Sequence, residues 1–279
     1  MKDIMKVEQF KIREGYDNVV LTSYVAGASD ELPYNIKRKA MIVIPGGGYW
    51  YCSDREAEPI ALAYLAAGFN TFVLEYSVKD DAVFPEPLIE ASLAVKFIKD
   101  NAEKFNIDPD FVFAVGFSAG GHLAAALGTM WHQKCVYDAI DMPFGYNKVR
   151  GVVLAYPVIC AGEYAHRGSI DHITGMRNDD YKTAPAEALD AVSIEKQIDE
   201  NTVPMFIWHT APDGTVPVQN SLILAKELAD KKIPFELHVY PKGGHGLSLA
   251  TSITCLINHT ENPVVSEWLG ESCRWLENV

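Results

Sequence analysis

Residues Gly116-Phe117-Ser118-Ala119-Gly120 follow directly on an apolar run at 111–115 and lead into a helix-forming stretch at 122–127. That order allows few folds. It predicts a buried strand, a sharp turn with the serine at its apex, and a helix leaving the turn. A serine so placed is held in a strained backbone conformation with its hydroxyl presented to solvent. The flanking Gly116 and Gly120 let the two arms of the turn approach closely. The start of the helix offers free N–H groups to a developing negative charge. The alternative is a serine that only caps its helix.

A serine hydroxyl is a weak nucleophile without a base, and the base needs an orienting group. The chain has eight histidines. His245 lies in Pro241-Lys242-Gly243-Gly244-His245-Gly246, a glycine-rich loop after a strand-like run at 235–240, so it can ride over a sheet end without clashes. His238 alternates within that strand, and His209 ends an apolar strand, which suits packing. His122 stands one helical turn beyond Ser118 and is expected only to line a site. His132, His166, His172 and His259 have no matching motif. His245 is therefore the expected base. Asp213, in a turn between one strand and the next helix, is the expected orienting acid, and Pro217 suits the first turn of that helix. A turn aspartate without further role is the plainer reading. A third element is Pro45-Gly46-Gly47-Gly48-Tyr49 after a short buried strand. Its glycines leave main-chain amides of Gly47 and Gly48 open, and with the amide of Ala119 these are the expected oxyanion hole. Tyr49, Trp50 and Tyr51 follow these glycines and are expected to form an aromatic surface beside the site, with Tyr49 and Trp50 as substrate-binding residues; the plainer reading is that two of the three pack under a cap.

Together these residues resemble a known family. The chain is similar to α/β-hydrolase esterases of the hormone-sensitive-lipase-like type and to bacterial acetyl (xylan) esterases. The matching stretches are residues 45–49, Glu75-Tyr76-Ser77, the turn around Ser118 continuing through Gly121-His122-Leu123, Asp213 to Pro217, and Gly244-His245-Gly246. The order Ser118, Asp213, His245 is the chain order of that fold's triad. The family's glycine motif usually begins with His where this chain has Pro45, and its strand-four motif usually reads Tyr-Arg where this chain has Tyr76-Ser77. The resemblance implies a serine carboxylesterase acting on short acyl, above all acetyl, esters of sugars or xylo-oligosaccharides. Such chemistry proceeds through an acyl-enzyme and calls for no metal or organic cofactor. A small peptidase or amidase of the prolyl-oligopeptidase-like type uses the same triad. A non-catalytic binding protein on a hydrolase scaffold is a further alternative.

The rest of the chain alternates strand-like and helix-like segments, which predicts an α/β fold: a mostly parallel eight-stranded sheet with helices on both faces. Strands are expected at 5–13, 18–26, 40–44, 70–76, 111–115, 149–155, 204–209 and 235–240. Helices are expected at 54–67, 86–105, 119–130, 217–231 and 263–278. Residues 131–148 read as a loop rich in aromatic and polar side chains. Residues 158–203 break the alternation and are expected to form a small cap over the site, so that 1–279 is one domain with one insertion. Net charge is −13 and the isoelectric point about 5.0, which argues against nucleic acid or an anionic membrane as partner. A small ester is the expected partner, and self-association stays open. Five cysteines without metal-like spacing, together with a first segment lacking an apolar signal core, predict a cytoplasmic location.

Overall fold

The computed structural model describes residues 5–27, 37–176, 184–255 and 261–279. His259 and part of the expected cap, residues 177–183, lie outside them. Eight strands form one sheet: β1 (Lys6–Lys11), β2 (Val20–Val25), β3 (Arg38–Ile44), β4 (Asn70–Glu75), β5 (Ile107–Phe117), β6 (Val152–Ala155), β7 (Met205–Thr210) and β8 (Phe235–Tyr240). Their order across the sheet is β1-β2-β4-β3-β5-β6-β7-β8. The hairpin β1–β2 and its pairing with β4 are antiparallel, and every other pairing is parallel.

The central strands are apolar on both faces because both faces are covered. Ile42, Ile44, Leu74, Ala114, Leu154 and Ile207 point to one side. There they meet α2 (Glu86–Asp100), α3 (Ala119–Met130) and α7 (Gln219–Asp230). Met41, Val43, Val73, Phe113, Val115 and Trp208 point to the other side. They pack on α1 (Glu58–Ala66) and α8 (Trp268–Leu276). Adjacent residues of one strand thus belong to different cores, as the period of two demands.

Several boundaries differ from the sequence expectation for local reasons. α2 stops at Asp100 rather than 105, and there the Asn101 side-chain and main-chain amides both donate to the Phe97 carbonyl, at 2.8 Å and 3.2 Å. Asn106 then takes a positive φ of 48° before β5 begins. The expected helix at 54–67 is a 3-10 turn, Asp54–Glu56, followed by α1. The expected loop 131–148 contains a short helix, α4 (Lys134–Ala139), carrying a Lys134–Asp138 ion pair one turn apart. Pro217 precedes α7 instead of lying in its first turn, and its carbonyl accepts the Asn220 amide at 2.9 Å. Between β6 and β7 stand α5 (Arg167–Ile173) and α6 (Ala186–Val192). Among the described residues no helix is long and apolar enough to cross a membrane.

Candidate active site

Ser118 sits between the last residue of β5 and the first of α3 with φ 52° and ψ −115°. This positive φ in a non-glycine residue is strained and is held by its surroundings. Its amide donates to the Ala155 carbonyl at 3.0 Å, and its carbonyl accepts from the amides of His122 and Val158. The turn closes only on glycine. A Cβ at Gly116 would lie 2.1 Å from the Gly120 carbonyl oxygen, and one at Gly120 would lie 2.2 Å from the Ile44 oxygen.

The loop after β8 brings His245 onto this serine. Ser118 Oγ lies 2.8 Å from His245 Nε2, and His245 Nδ1 lies 2.7 Å from Asp213 Oδ2. A hydrogen on Nδ1 donates to the carboxylate, which leaves Nε2 to accept the serine proton. Asp213 occupies the loop between β7 and α7. Its Oδ1 accepts the amides of Thr215 at 2.9 Å and Val216 at 3.0 Å. Burial pushes the Asp213 carboxyl up, but hydrogen bonds from His209 and His245 and the charge of His245 outweigh it. The carboxyl is held well below the usual carboxylate range.

His209 is buried in β7, as a packed strand residue, and it also does something the sequence reading missed. Its Nε2 lies 3.2 Å from Asp213 Oδ2 and 3.0 Å from the Val216 carbonyl, while its Nδ1 meets Ser221 Oγ at 2.8 Å. The carboxylate therefore lies between two imidazoles. The spacing of four residues from His209 to Asp213 across a tight turn was the available signal.

The glycine turn lies on the other side of the serine. Gly47 and Gly48 have φ of 129° and 67°. The Gly47 carbonyl is folded into the turn, accepting the amides of Trp50 at 3.0 Å and Tyr51 at 3.3 Å. The amides of Gly47, Gly48 and Ala119 find no acceptor among the described residues. A Cβ on Gly46 would come within 3.1 Å of Ser118 Cβ, so turn and serine are in contact.

A cavity of about 460 Å³ opens on this arrangement, with Gly47, Gly48, Ser118, His245, His166 and His172 among its lining. The two last histidines come from the entry and body of α5, within the segment expected as a cap. A larger concavity of about 720 Å³, bounded by Lys99, Lys148, Arg150 and Trp275, contains none of the expected site residues. Trp50 lies at the mouth of the smaller cavity, 49% exposed, with the His172 ring 5.4 Å away. Tyr49 corrects the sequence expectation. It is buried, and its hydroxyl donates to His122 Nδ1 at 2.7 Å, so it braces the turn from behind instead of meeting a substrate. Tyr51, at 56% exposure, takes the place at the cavity wall. His122 faces away from the cavity and donates from Nε2 to the Val192 carbonyl at 2.7 Å. Among the described residues no group of three or more His, Cys, Asp or Glu is placed to hold a metal ion.

The BD-FAE family model matches residues 32–228, most of the chain. The chain belongs to the BD-FAE family, within the α/β hydrolases. This BD-FAE chain is 40% identical over 223 residues to endo-1,4-beta-xylanase B of Butyrivibrio fibrisolvens, covering 77% of its own length but only 33% of that relative. It thus spans about a third of the length of that curated relative, and 43% of an acetylxylan esterase of Xylanibacter ruminicola, to which it is 28% identical. Among solved structures it resembles an acetyl ester-xyloside bifunctional hydrolase from Caldicellulosiruptor lactoaceticus. There the TM-score is 0.82 at 31% identity, over 99% of this chain and 97% of the other.

Proposed function

We propose that the protein is a serine carboxylesterase that removes short acyl groups, acetyl above all, from sugars such as xylo-oligosaccharides. One observation carries the hydrolytic reading: Ser118, His245 and Asp213 form a continuous hydrogen-bonded chain, 2.8 Å and 2.7 Å long at its two links, at the apex of a strained turn. In this reading Ser118 attacks the ester carbonyl as His245 Nε2 takes its proton. Asp213 keeps the imidazole in the required tautomer and stabilises its charged form. The Gly47, Gly48 and Ala119 amides receive the oxyanion, a contribution of about 3 kcal/mol per donor in serine hydrolases. His245 returns the proton to the leaving alcohol, and water reverses the sequence on the acyl-enzyme.

Support for a sugar alcohol comes from the exposed rings of Trp50 and Tyr51 at the cavity wall, flat surfaces on which a pyranose can stack. The names of the relatives, a xylanase, an acetylxylan esterase and an acetyl ester-xyloside hydrolase, point the same way. The described part of 158–203 serves in this reading as a cap on the alcohol side, since His166 and His172, at the entry to α5 and within it, line the cavity. The five unpaired cysteines suit a reducing cytoplasm. The test is Ser118→Ala, assayed with p-nitrophenyl acetate and acetylated xylo-oligosaccharides beside a fluorophosphonate probe. Loss of turnover and of labelling in a folded variant is expected. Turnover retained by the purified variant places the nucleophile elsewhere, and activity confined to peptide amides overturns the esterase assignment.

A further inference from the structure

A second carboxylate lies inside this site, and the triad chemistry makes no use of it. Glu56 belongs to the 3-10 turn that leads from the glycine turn into α1, and it is only 4% exposed. Leaving a carboxylate out of water is costly unless its oxygens are satisfied. Here Oε2 accepts the Gly46 amide at 2.9 Å, and Oε1 accepts the Tyr156 hydroxyl at 2.6 Å. Both are bonds into the carboxylate, which suits its ionised, acceptor-only form.

Those two donors belong to the two halves of the catalytic apparatus. Gly46 begins the glycine turn. Tyr156 follows β6 at a positive φ of 38°, and its ring stands edge-on to His245 with centroids 5.0 Å apart. The Tyr156 hydroxyl in turn accepts the Ser248 amide at 2.9 Å, in the loop that carries His245. Arg55 reinforces the link: its guanidinium donates to the carbonyls of Gly246 and Thr254, each at 2.7 Å, while its own carbonyl accepts the Ser248 hydroxyl at 2.6 Å. One short turn therefore grips the oxyanion side and the base side at once.

We propose that Glu56 is a positioning residue of the hydrolytic site, which fixes the glycine turn through Gly46 and stabilises the imidazolium of His245 by its charge. The proposal rests on the serine-hydrolase reading above. Glu56 and His245 line the same cavity. Burial raises the Glu56 carboxyl pKa, and the Tyr156 and Gly46 hydrogen bonds and the charges of His245 and Arg55 oppose it. The groups facing His245 are Asp213 from the β7–α7 loop, Glu56 and Arg55 from the turn before α1, Tyr156 after β6, and His166 at the entry to α5. Tyr76 at the end of β4 also faces Glu56.

The decisive experiment is the pH profile of kcat/KM for p-nitrophenyl acetate in the full chain and in Glu56→Gln. Removing the charge destabilises the imidazolium, so the acid limb moves to lower pH by about 1 unit. The same lost interaction lowers kcat on the plateau by about tenfold, with KM within about threefold of wild type. Tyr156→Phe keeps the carboxylate but removes the hydroxyl that donates to Glu56 Oε1 and accepts the Ser248 amide, so kcat falls while the acid limb moves less than in Glu56→Gln. An unmoved limb in Glu56→Gln overturns the proposal, whatever its activity, and so does an equal downward shift in Tyr156→Phe. If Glu56→Gln fails to fold, the coupling is read in the wild type from the carbon-13 shift of the Glu56 carboxyl, which should move as His245 titrates. A shift indifferent to that titration overturns it. Failure of the underlying reading gives a different result, an active Ser118→Ala or an inactive wild type.

Discussion

At the scale of single residues, Asp213 is satisfied from four directions, while His245 turns its second nitrogen, Nε2, toward the Ser118 hydroxyl. Two backbone amides, His209 and His245 all meet the carboxylate. In the proposed reaction this makes Asp213 an orienting anion that stays ionised. Asp213→Asn replaces an acceptor with a donor and favours the wrong tautomer of His245. The expected loss in kcat is up to ~10⁴-fold, measured with p-nitrophenyl acetate under saturating conditions; a variant within a factor of three of wild type would point to another acid. His209 escaped the sequence reading because a histidine ending an apolar strand is usually just packed. Only the bend of the chain after Thr210 turns it back onto Asp213.

At the scale of elements, the turn after β3 is the most constrained piece of backbone near the serine. A Cβ at Gly47 would lie 2.0 Å from the Tyr51 carbonyl oxygen, and its φ of 129° is one that other residues rarely adopt. Gly47→Ala must therefore open the turn and move its amides. We expect kcat to fall by about 100-fold or more, as for a lost oxyanion donor, with a stability cost of ~2 kcal/mol. A thermal melt read beside steady-state kinetics separates the two effects, and an alanine variant with wild-type kcat would place the oxyanion donors elsewhere. In the proposed esterase the same elements bear on acyl length. The wall beside Ser118 includes the Glu56 carboxylate and the glycine turn, which give a long alkyl tail little apolar surface. Each methylene left unburied forgoes ~0.8 kcal/mol, so kcat/KM should fall steeply from acetyl to octanoyl p-nitrophenyl esters. A maximum at octanoyl would contradict the acetylesterase reading.

At the scale of the whole molecule, buried histidine ties stability to pH. His122 is enclosed between α3, the glycine turn and the end of α6, bonded to Tyr49 and to the Val192 carbonyl. Burial pushes its pKa down from 6.5 to about 4, against the hydrogen bond to Val192, which raises it. Between those values the unfolded chain binds a proton that the folded chain refuses. Stability is thus fully present above pH 6.5 and is lost as pH falls toward 4. From pH 7 to 4.5 the wild type should lose ~2 kcal/mol more than His122→Gln, which lacks this titration. Urea unfolding at the two pH values checks it, and parallel losses in both proteins would mean that other groups govern the acid limb.

The alternation of apolar runs and helical stretches determined the sheet, its two covered faces and the place of each turn, because periodicity and turn chemistry act within a few residues. Gly116 to Gly120, the three glycines after β3 and the loop around His245 are local features of that kind, legible one window at a time. What the chain does across long separations was decided only by packing. Ser118 meets His245 across 127 residues and Glu56 meets Tyr156 across 100. The resemblance to a known triad order anticipated the first contact, and nothing in the sequence announced the second. Nor could adjacency tell Tyr49 from Trp50. The positive φ at Tyr49 and the bend of the turn send one ring into the core and leave the other at the cavity mouth. Which face a side chain takes in an irregular turn has no repeat to encode it, so only the folded backbone sets it.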